Sequence, residues 1–219
     1  MNTHDLPEVA APAHAQEPPF WNAEVEAIPF CQALKQRYPD ILMELNELAL
    51  SHKPFNDFPD YGLYSNGWEA FPVSVYEGEF NDFLPNAASI DMAATMRRIR
   101  QHLPVLSALV EPLEREGVLR NAFVSRLRPG SVIHPHRGWT PHYLRIHLGL
   151  LCDPGCRLTV GPETHAWKPG ELLAFKDGGP YEHSVRHAGA RERIVASFDL
   201  RLTYVARFIP GICGPWHAA

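Results

Sequence analysis

From Arg120 onward the sequence consists of short segments that are β-branched or alternate between apolar and polar residues. Pro-Gly pairs at 129–130, 154–155 and 169–170 separate several of these segments. Short strands at roughly 8–12-residue spacing, bounded by such turns, favour a β-sandwich or an open barrel. The predicted strands cover residues 122–127, 143–151, 157–160, 170–175, 181–186 and 193–204. No other feature limits the fold as strongly, because this pattern requires the interior to be lined by alternate residues of each strand.

The part of the chain before these strands has mainly helical spacing. Helices are predicted over 24–37, 41–51 and 90–101, and from Pro104 to near Gly117, with one strand over 70–76. Residues 1–19, rich in Ala and Pro, are predicted to form a flexible tail. Residues 20–219 are long enough for one core, in which 20–118 provide helical and loop support for a β core at 119–206. We therefore expect a mainly β fold with packed helices.

Composition and charge exclude several classes of partner. The formal net charge is −5 and no run of Lys or Arg exists, so binding to nucleic acid or to an anionic membrane has no electrostatic support. No apolar stretch approaches the ~20 residues that a membrane helix needs. The first residues lack a basic segment followed by an apolar one, and we expect a cytoplasmic protein. Four cysteines without a C-x-x-C pair are too few for a disulfide framework and are expected to be reduced.

The predicted strand over 143–150 alternates strictly. Tyr143, Arg145, His147 and Gly149 fall on one face, and only Leu or Ile falls on the other. A strand with core on one side and basic, ligand-capable groups on the other is typical of a cavity wall. The sequence therefore predicts a polar binding cavity inside the barrel.

Two histidines on separate segments are candidates for metal ligands. His136 follows the stiff Pro135 in a predicted turn, and His183 comes 47 residues later on another strand. Imidazoles from two strands can meet inside a barrel, and His commonly binds iron and zinc. Arg193 lies on a strand face inside the barrel, where a guanidinium is costly unless it meets an anion. With Ser125 and His147 on neighbouring strands, these residues suit a metal site beside a clamp for a 2-oxoacid carboxylate.

Several ordered motifs then carry a family resemblance. They are Ser125-x-x-x-Pro129-Gly130, Pro135-His136-x-Gly138, Leu144-Arg145-x-His147-Leu148-Gly149-Leu150, Glu163-Thr164, Trp167-x-x-Gly170 with Phe175-x-Asp177, Glu182-His183, and Arg193 leading into Asp199. In this order and at these spacings the chain resembles the aspartyl/asparaginyl β-hydroxylase family of 2-oxoglutarate- and Fe(II)-dependent oxygenases, over about 66–204. The resemblance implies a double-stranded β-helix (jelly-roll) core with supporting N-terminal helices.

The resemblance also implies cofactors and residue roles. Fe(II), 2-oxoglutarate as cosubstrate and O2 are expected. His136 and His183 match the iron ligands, and Asp177 matches an acidic residue near the iron-bound water. The positions that bind the 2-oxoglutarate carboxylates are matched by Ser125, His147 and Arg193. Arg145 matches a position that binds an acidic or carboxylate-bearing substrate.

Alternative functions stay open, and one of them depends on Gly138. Most 2-oxoglutarate oxygenases hold iron with two His and a carboxylate, and the carboxylate of the usual His-x-Asp is missing here. The family tolerates Pro-His-x-Gly, but a small residue there also makes room for a halide in related halogenases. A cupin-like three-histidine site that adds His134, and a zinc hydrolase, are further possibilities. A barrel that binds these ligands without turnover is the non-enzymatic hypothesis.

The substrate is the least constrained part of the prediction. Tyr143 shares the cavity face with Arg145 and is expected to touch substrate, and Trp139 is a candidate for stacking on it. The chain has Lys176-Asp177 where family members usually have two acids, and the loop between Phe175 and His183 is about two residues longer than theirs. We expect hydroxylation of an amino-acid, peptidyl or natural-product unit that bears a carboxylate, either free or bound to a carrier protein.

Overall fold

A computed structural model describes residues 17–50, 56–58, 62–75 and 92–213. Within these ranges the chain forms eleven strands, five α-helices and one 3-10 helix at Glu24–Ala27. The helices are α1 (Pro29–Gln36), α2 (Tyr38–Leu50), α3 (Met92–Arg100), α4 (Pro104–Arg115) and α5 (Leu202–Val205). The strands are β1 (Asn56–Asp57), β2 (Tyr64–Ser65), β3 (Trp68–Ser74), β4 (Leu119–Leu127), β5 (Val132–His136), β6 (Tyr143–Leu151), β7 (Cys156–Val160), β8 (Glu163–Ala166), β9 (Leu172–Lys176), β10 (His183–His187) and β11 (Arg193–Arg201).

The strands pair into two antiparallel sheets. The larger sheet has the order β1-β3-β4-β11-β6-β9, and the smaller has the order β2-β5-β10-β7-β8. Most neighbours in a sheet are distant in sequence, as in a jelly roll. The fold is a double-stranded β-helix supported by helices, which confirms the predicted fold class.

The larger sheet separates two hydrophobic clusters. On its outer face, Leu144, Ile146 and Leu148 of β6 pack in one cluster with residues of α1, α2 and α4. Phe198 of β11 meets Phe30 of α1 edge-to-face, with ring centroids 5.1 Å apart. The inner face belongs to a second cluster that both sheets share. The alternation predicted for β6 is therefore real, and it turns Tyr143, Arg145 and His147 towards the barrel interior.

Several element boundaries differ from the prediction. Strands β5 and β8 were not predicted: His136 was placed in a turn after Pro135, and no element was assigned to residues 163–166. The predicted strand over 193–204 ends at Arg201, where the chain turns into α5. The predicted strand over 70–76 is β3, which begins at Trp68; residue 76 lies outside the described residues, as do 90 and 91 at the start of the predicted third helix.

Residues 17–22 lie along the outer edge strand β9. The Glu17 carboxylate binds Nζ of Lys176 at 2.7 and 2.8 Å, and its carbonyl accepts from the Tyr181 hydroxyl at 2.9 Å. The Trp21 amide donates to the Ala174 carbonyl at 2.8 Å, so this segment covers part of the unpaired sheet edge. Of the predicted flexible tail, residues 1–16 lie outside the described residues. In the described part of the chain, no helix combines the length and apolarity needed to span a membrane.

Candidate active site

His136 and His183 face each other on adjacent strands of the smaller sheet. They are cross-strand partners between β5 and β10, beside an irregularity in the pairing. Their ring centroids lie 4.1 Å apart. Only 5% of His183 is exposed, whereas His136 is half-buried. The two predicted metal ligands are therefore brought together at the mouth of the barrel.

Both rings are suited to bind a metal through a nitrogen lone pair. His136 Nδ1 lies 2.7 Å from the His134 carbonyl, which can only accept, so the proton sits on Nδ1 and Nε2 keeps its lone pair. Burial, followed by nearby His136 and Arg145, holds the pKa of His183 well below its ordinary value. Metal-binding imidazoles must be unprotonated, so this pair fits a divalent cation. Among the described residues no group of three or more His, Cys, Asp or Glu side chains is placed to hold a metal.

Asp177 links the histidine pair to Arg145. Its Oδ1 lies 3.3 Å from His183 Nε2 and accepts a hydrogen bond of 2.6 Å from the Arg145 guanidinium. Arg145 also binds Asp199 with two hydrogen bonds, of 2.7 and 2.9 Å. Burial acts to lower the pKa of Arg145, but the two carboxylates outweigh it and raise that pKa. Arg145 is thus already bound by two carboxylates of its own chain, and a substrate carboxylate would have to share it.

Gly138 is required by this arrangement. A Cβ atom at position 138 would lie within 1.9 Å of Asp177 Oδ2. The Gly138 amide also donates to the Asp177 carbonyl at 2.8 Å. The loop after β5 and the loop after β9 are therefore held together, and the carboxylate of Asp177 occupies the place where a side chain at 138 would begin.

Arg193 lies inside the barrel with 2% of its surface exposed. Its guanidinium donates to the Ser125 hydroxyl at 3.0 Å and to the Ser125 carbonyl at 3.3 Å. It also lies over the Trp167 ring, with Cζ 4.7 Å from the centroid. Within the described ranges, no carboxylate comes within salt-bridge distance of Arg193. A second donor, Trp68 Nε1–H, reaches the same hydroxyl at 3.0 Å, so the Ser125 O–H is directed towards another acceptor.

His147, on the neighbouring strand β6, is a second residue that can donate a hydrogen bond to a ligand beside Arg193. Trp167 Nε1–H donates to His147 Nδ1 at 3.2 Å, which leaves the imidazole proton on Nε2. Burial, then Arg145, Arg193 and His183, hold the pKa of His147 well below its ordinary value. The ring is therefore neutral, and it offers an N–H to the cavity. The sequence indicated His147, but it did not assign Trp68 or Trp167 to this hydrogen-bond network.

Buried polar atoms without a partner concentrate in this cavity. In the described part of the chain, five buried side-chain N or O atoms lack a hydrogen-bond partner: Trp21 Nε1, His183 Nδ1, His187 Nε2, Arg193 Nε and Ser197 Oγ. Four of the five belong to β10 and β11, the strands that carry the predicted metal ligand and anion clamp. Such atoms are costly in a folded protein, and their concentration marks a place built for a polar ligand.

The two remaining predicted substrate residues lie further out. Tyr143 is half-buried between the guanidinium groups of Arg120 and Arg201, whose Cζ atoms lie 5.4 and 5.7 Å from its ring centroid. Trp139 follows Gly138 in the loop after β5 and is 75% exposed. Both substrate roles stay predictions, as does that of Arg145.

Comparison with known proteins agrees with the sequence resemblance. A sequence profile of the Aspartyl/Asparaginyl beta-hydroxylase family matches residues 35–202. The human aspartate beta-hydroxylase domain-containing protein 2 is 42% identical over 172 residues, and its Xenopus tropicalis counterpart is 40% identical over the same length. Each match covers 77% of this chain and 43% of the relative. The chain therefore spans less than half the length of these relatives.

More distant matches were also found. The mouse aspartyl/asparaginyl beta-hydroxylase is 32% identical over 100 residues, which are 44% of this chain and 13% of that protein. A solved Pseudomonas putida prolyl-4-hydroxylase is 18% identical, with a TM-score of 0.44 over 76% of this chain and 86% of its own. The assignment rests on the profile match, which spans more than half of the sequence: the chain belongs to the aspartyl/asparaginyl β-hydroxylase family.

Proposed function

We propose that this protein is a 2-oxoglutarate- and Fe(II)-dependent hydroxylase that acts on a C–H bond of a carboxylate-bearing amino-acid, peptidyl or natural-product substrate. One observation carries the proposal: a buried Arg193, with no carboxylate partner among the described residues, lies in the same cavity as a facing pair of histidines. A buried guanidinium is stabilised by an anion, and a pair of facing imidazoles can bind a metal. A 2-oxoacid with a second carboxylate supplies an anion to the clamp and a chelating group to the metal.

His136 and His183 are the residues that would hold Fe(II). Bound there with 2-oxoglutarate and O2, the metal supplies the oxidising chemistry that the side chains lack. The hydrogen bond from His136 Nδ1 to the His134 carbonyl fixes the ring orientation and leaves Nε2 as the donor atom. Asp177, held by Arg145, stands beside His183 as an acceptor for a water in the site.

The groups that would bind the cosubstrate carboxylates are all hydrogen-bond donors. Ser125 offers its O–H, His147 its Nε2–H, and Arg193 its unpartnered Nε–H. Because these groups are buried, their hydrogen bonds to a carboxylate are stronger than the same bonds in water. The Trp167 indole, 2% exposed, covers one side of Arg193 and keeps water from the clamp.

Substrate recognition belongs to the mouth of the barrel. Arg145 holds Asp177 and Asp199, which makes it first of all a positioning residue for the Asp177 carboxylate. A substrate carboxylate can add to this network, with Tyr143 and Trp139 as contacts on the outer side. The names of the relatives, which refer to aspartate or asparagine, support an aspartyl-like unit, and a peptide or a carrier protein can present it at the exposed Trp139.

The alternatives are less well supported by the geometry. A halide at the Gly138 position would meet Asp177 Oδ2, which fills that space and repels an anion. A cupin-like site needs His134, whose side chain is exposed, whereas no group of three ligands forms among the described residues. A zinc hydrolase leaves the buried Arg193 without a role.

The test is turnover of 2-oxoglutarate with Fe(II) in air. We expect succinate formation, and a product heavier by one oxygen when amino acids and peptides with an acidic side chain are supplied. His136→Ala and His183→Ala should abolish succinate formation, and Arg193→Met should raise the 2-oxoglutarate concentration needed. Ligand binding without any succinate would support the non-enzymatic alternative instead.

A further inference from the structure

His187 lies deep in the barrel, away from the histidine pair. It is 1% exposed and stands opposite Cys156 in the pairing of β10 with β7. Opposite residues of an antiparallel pair share a face, and His183, Val185 and His187 alternate along the buried face of β10. His187 therefore faces the same interior as the candidate metal ligand His183, and it lies four residues further along β10 from the mouth of the barrel.

The His187 ring presents a donor to this interior. The Gly189 amide donates to His187 Nδ1 at 3.3 Å, so Nδ1 carries the lone pair. Burial, opposed by the Arg191 backbone and Asp153, lowers the pKa of His187 and favours the neutral ring. The single ring proton is then on Nε2, which is buried and has no partner. A buried N–H without an acceptor is costly, which points to an acceptor that arrives with a ligand.

A cation that acts electrostatically on His187 is Arg193, at the other end of the connection between β10 and β11. The Arg193 guanidinium contacts the Cys156 thiol, which is the cross-strand neighbour of His187, and it interacts electrostatically with His187 itself. Arg193 Nε is the second unpartnered donor in this region. The Asp153 carboxylate acts electrostatically on His187 and Cys156, but it accepts hydrogen bonds from three backbone amides and from neither of these donors. The two unpartnered donors around one thiol therefore form half of an anion site.

This end of the barrel is closed by a backbone network. The Asp153 carboxylate accepts from the amides of Gly155, Ala190 and Arg191 at 2.8, 3.0 and 2.9 Å. A Cβ on Gly155 would lie 2.6 Å from the Gly189 backbone, so the two turns are in close contact. The position of His187 is therefore fixed before any ligand binds, which lowers the entropic cost of its hydrogen bond.

We infer that His187 Nε2–H, together with Arg193, binds the distal carboxylate of a linear dicarboxylate cosubstrate. The inference rests on the proposed function and extends it. The clamp consists of the Arg193 cation on β11 and the neutral His187 donor on β10. It binds the carboxylate of the ligand that is remote from the metal. Burial raises the pKa of the Cys156 thiol, so Cys156 stays neutral; it accepts a hydrogen bond from Arg193 and adds no charge to the clamp.

The test separates the two ends of the cosubstrate. Glutarate has the distal carboxylate but no keto acid, and its binding to the metal-free protein is measured by calorimetry. Pyruvate has the keto acid but no distal carboxylate, and its binding is measured on the Mn(II)-loaded protein. For His187→Phe we expect glutarate affinity to fall about tenfold or more, the loss of one hydrogen bond to a charged group, with pyruvate affinity unchanged. His187→Gln, which keeps an N–H donor, should recover part of the glutarate affinity and guards against a variant that folds poorly.

Three results overturn the inference: wild-type protein that does not bind glutarate, His187→Phe with wild-type glutarate affinity, or equal losses for glutarate and pyruvate. The last would assign His187 a purely structural role. Because glutarate binding needs neither iron nor turnover, failure of the proposed hydroxylase activity would not by itself alter the result, and an active enzyme with an unchanged His187→Phe glutarate affinity would reject the inference alone.

Discussion

A Cβ atom built on Gly138 would lie 1.9 Å from Oδ2 of Asp177, so the Asp177 carboxylate fills the space that a side chain at 138 would need. The two residues come from different loops, after β5 and after β9, and a backbone hydrogen bond joins them. The carboxylate that a His-x-Asp sequence would place beside His136 is thus replaced by one from a distant part of the chain. Oδ1 of Asp177 lies 3.3 Å from Nε2 of His183.

Gly138→Ala should therefore weaken metal binding. The added methyl group displaces the Asp177 carboxylate from His183 and Arg145, although the flexible side chain allows the protein to fold. Loss of a group that supports metal ligands costs about 10- to 100-fold in affinity. Titration with Mn(II), followed by electron paramagnetic resonance, measures the change, and wild-type affinity in the variant would contradict the role given to Asp177.

A double substitution provides the matched control. Gly138→Asp combined with Asp177→Ala moves the carboxylate to the other loop and removes the steric conflict. We expect the double variant to bind Mn(II) more tightly than Gly138→Asp alone. If the double variant binds Mn(II) no more tightly than Gly138→Asp, a carboxylate at position 138 does not substitute for the Asp177 carboxylate.

Asp199→Asn should destabilise the fold by about 3 kcal/mol, since it leaves the largely buried guanidinium of Arg145 with one carboxylate instead of two. The Asp199 side chain is almost fully covered and makes two hydrogen bonds to Arg145. Urea unfolding measures the difference. The matched control is Asp40→Asn, whose partner Arg37 is well exposed, and an exposed pair of this kind contributes at most about 1 kcal/mol. Equal effects of the two substitutions would mean that the Arg145 network adds nothing to stability.

Local patterns predicted much of the fold and part of the site. The alternation of β6 is a property of consecutive residues, so the sequence shows which face of the strand carries Arg145 and His147. The family motifs indicated that His136 and His183 lie together, and in the structure they are cross-strand partners. Strand β5 was missed because Pro135 suggests a turn, whereas the structure pairs both sides of this segment with β2 and β10.

Contacts between distant segments were not predictable in the same way. Nothing near Gly138 in the sequence indicates that Asp177 will fill its side-chain space, because this depends on how two loops meet. The same holds for Trp68, which is 57 residues from the Ser125 hydroxyl that it contacts. Arg145 was expected to be available to a substrate, and only the register of β6 with β11, which places Asp199 opposite, shows that it is already bound.

Ser125→Ala should weaken 2-oxoglutarate binding about tenfold, measured by calorimetry on the Mn(II)-loaded protein. The hydroxyl accepts from Arg193 and Trp68, and its own proton is free to bind a carboxylate. Ser107→Ala is the control, since Ser107 is a buried serine of α4 on the helical side of the large sheet. A loss of the same size in both variants would indicate a general effect of the lost stability.

Cys31→Ala should reduce the alkaline sensitivity of the fold. Burial, followed by the charge of Glu26, raises the pKa of the Cys31 thiol from 9.0 to about 12. The folded protein then keeps a proton that the unfolded chain releases above pH 9, so stability is complete below that pH and falls as the pH rises from 9 to 12. The slope for one such group approaches 1.4 kcal/mol per pH unit. Urea unfolding of wild type and variant between pH 6 and 8 sets the constant difference that comes from packing alone. Above pH 9 the two stabilities should converge or cross, and a difference that stays constant up to pH 11 would show that the thiol does not titrate in the way its burial requires.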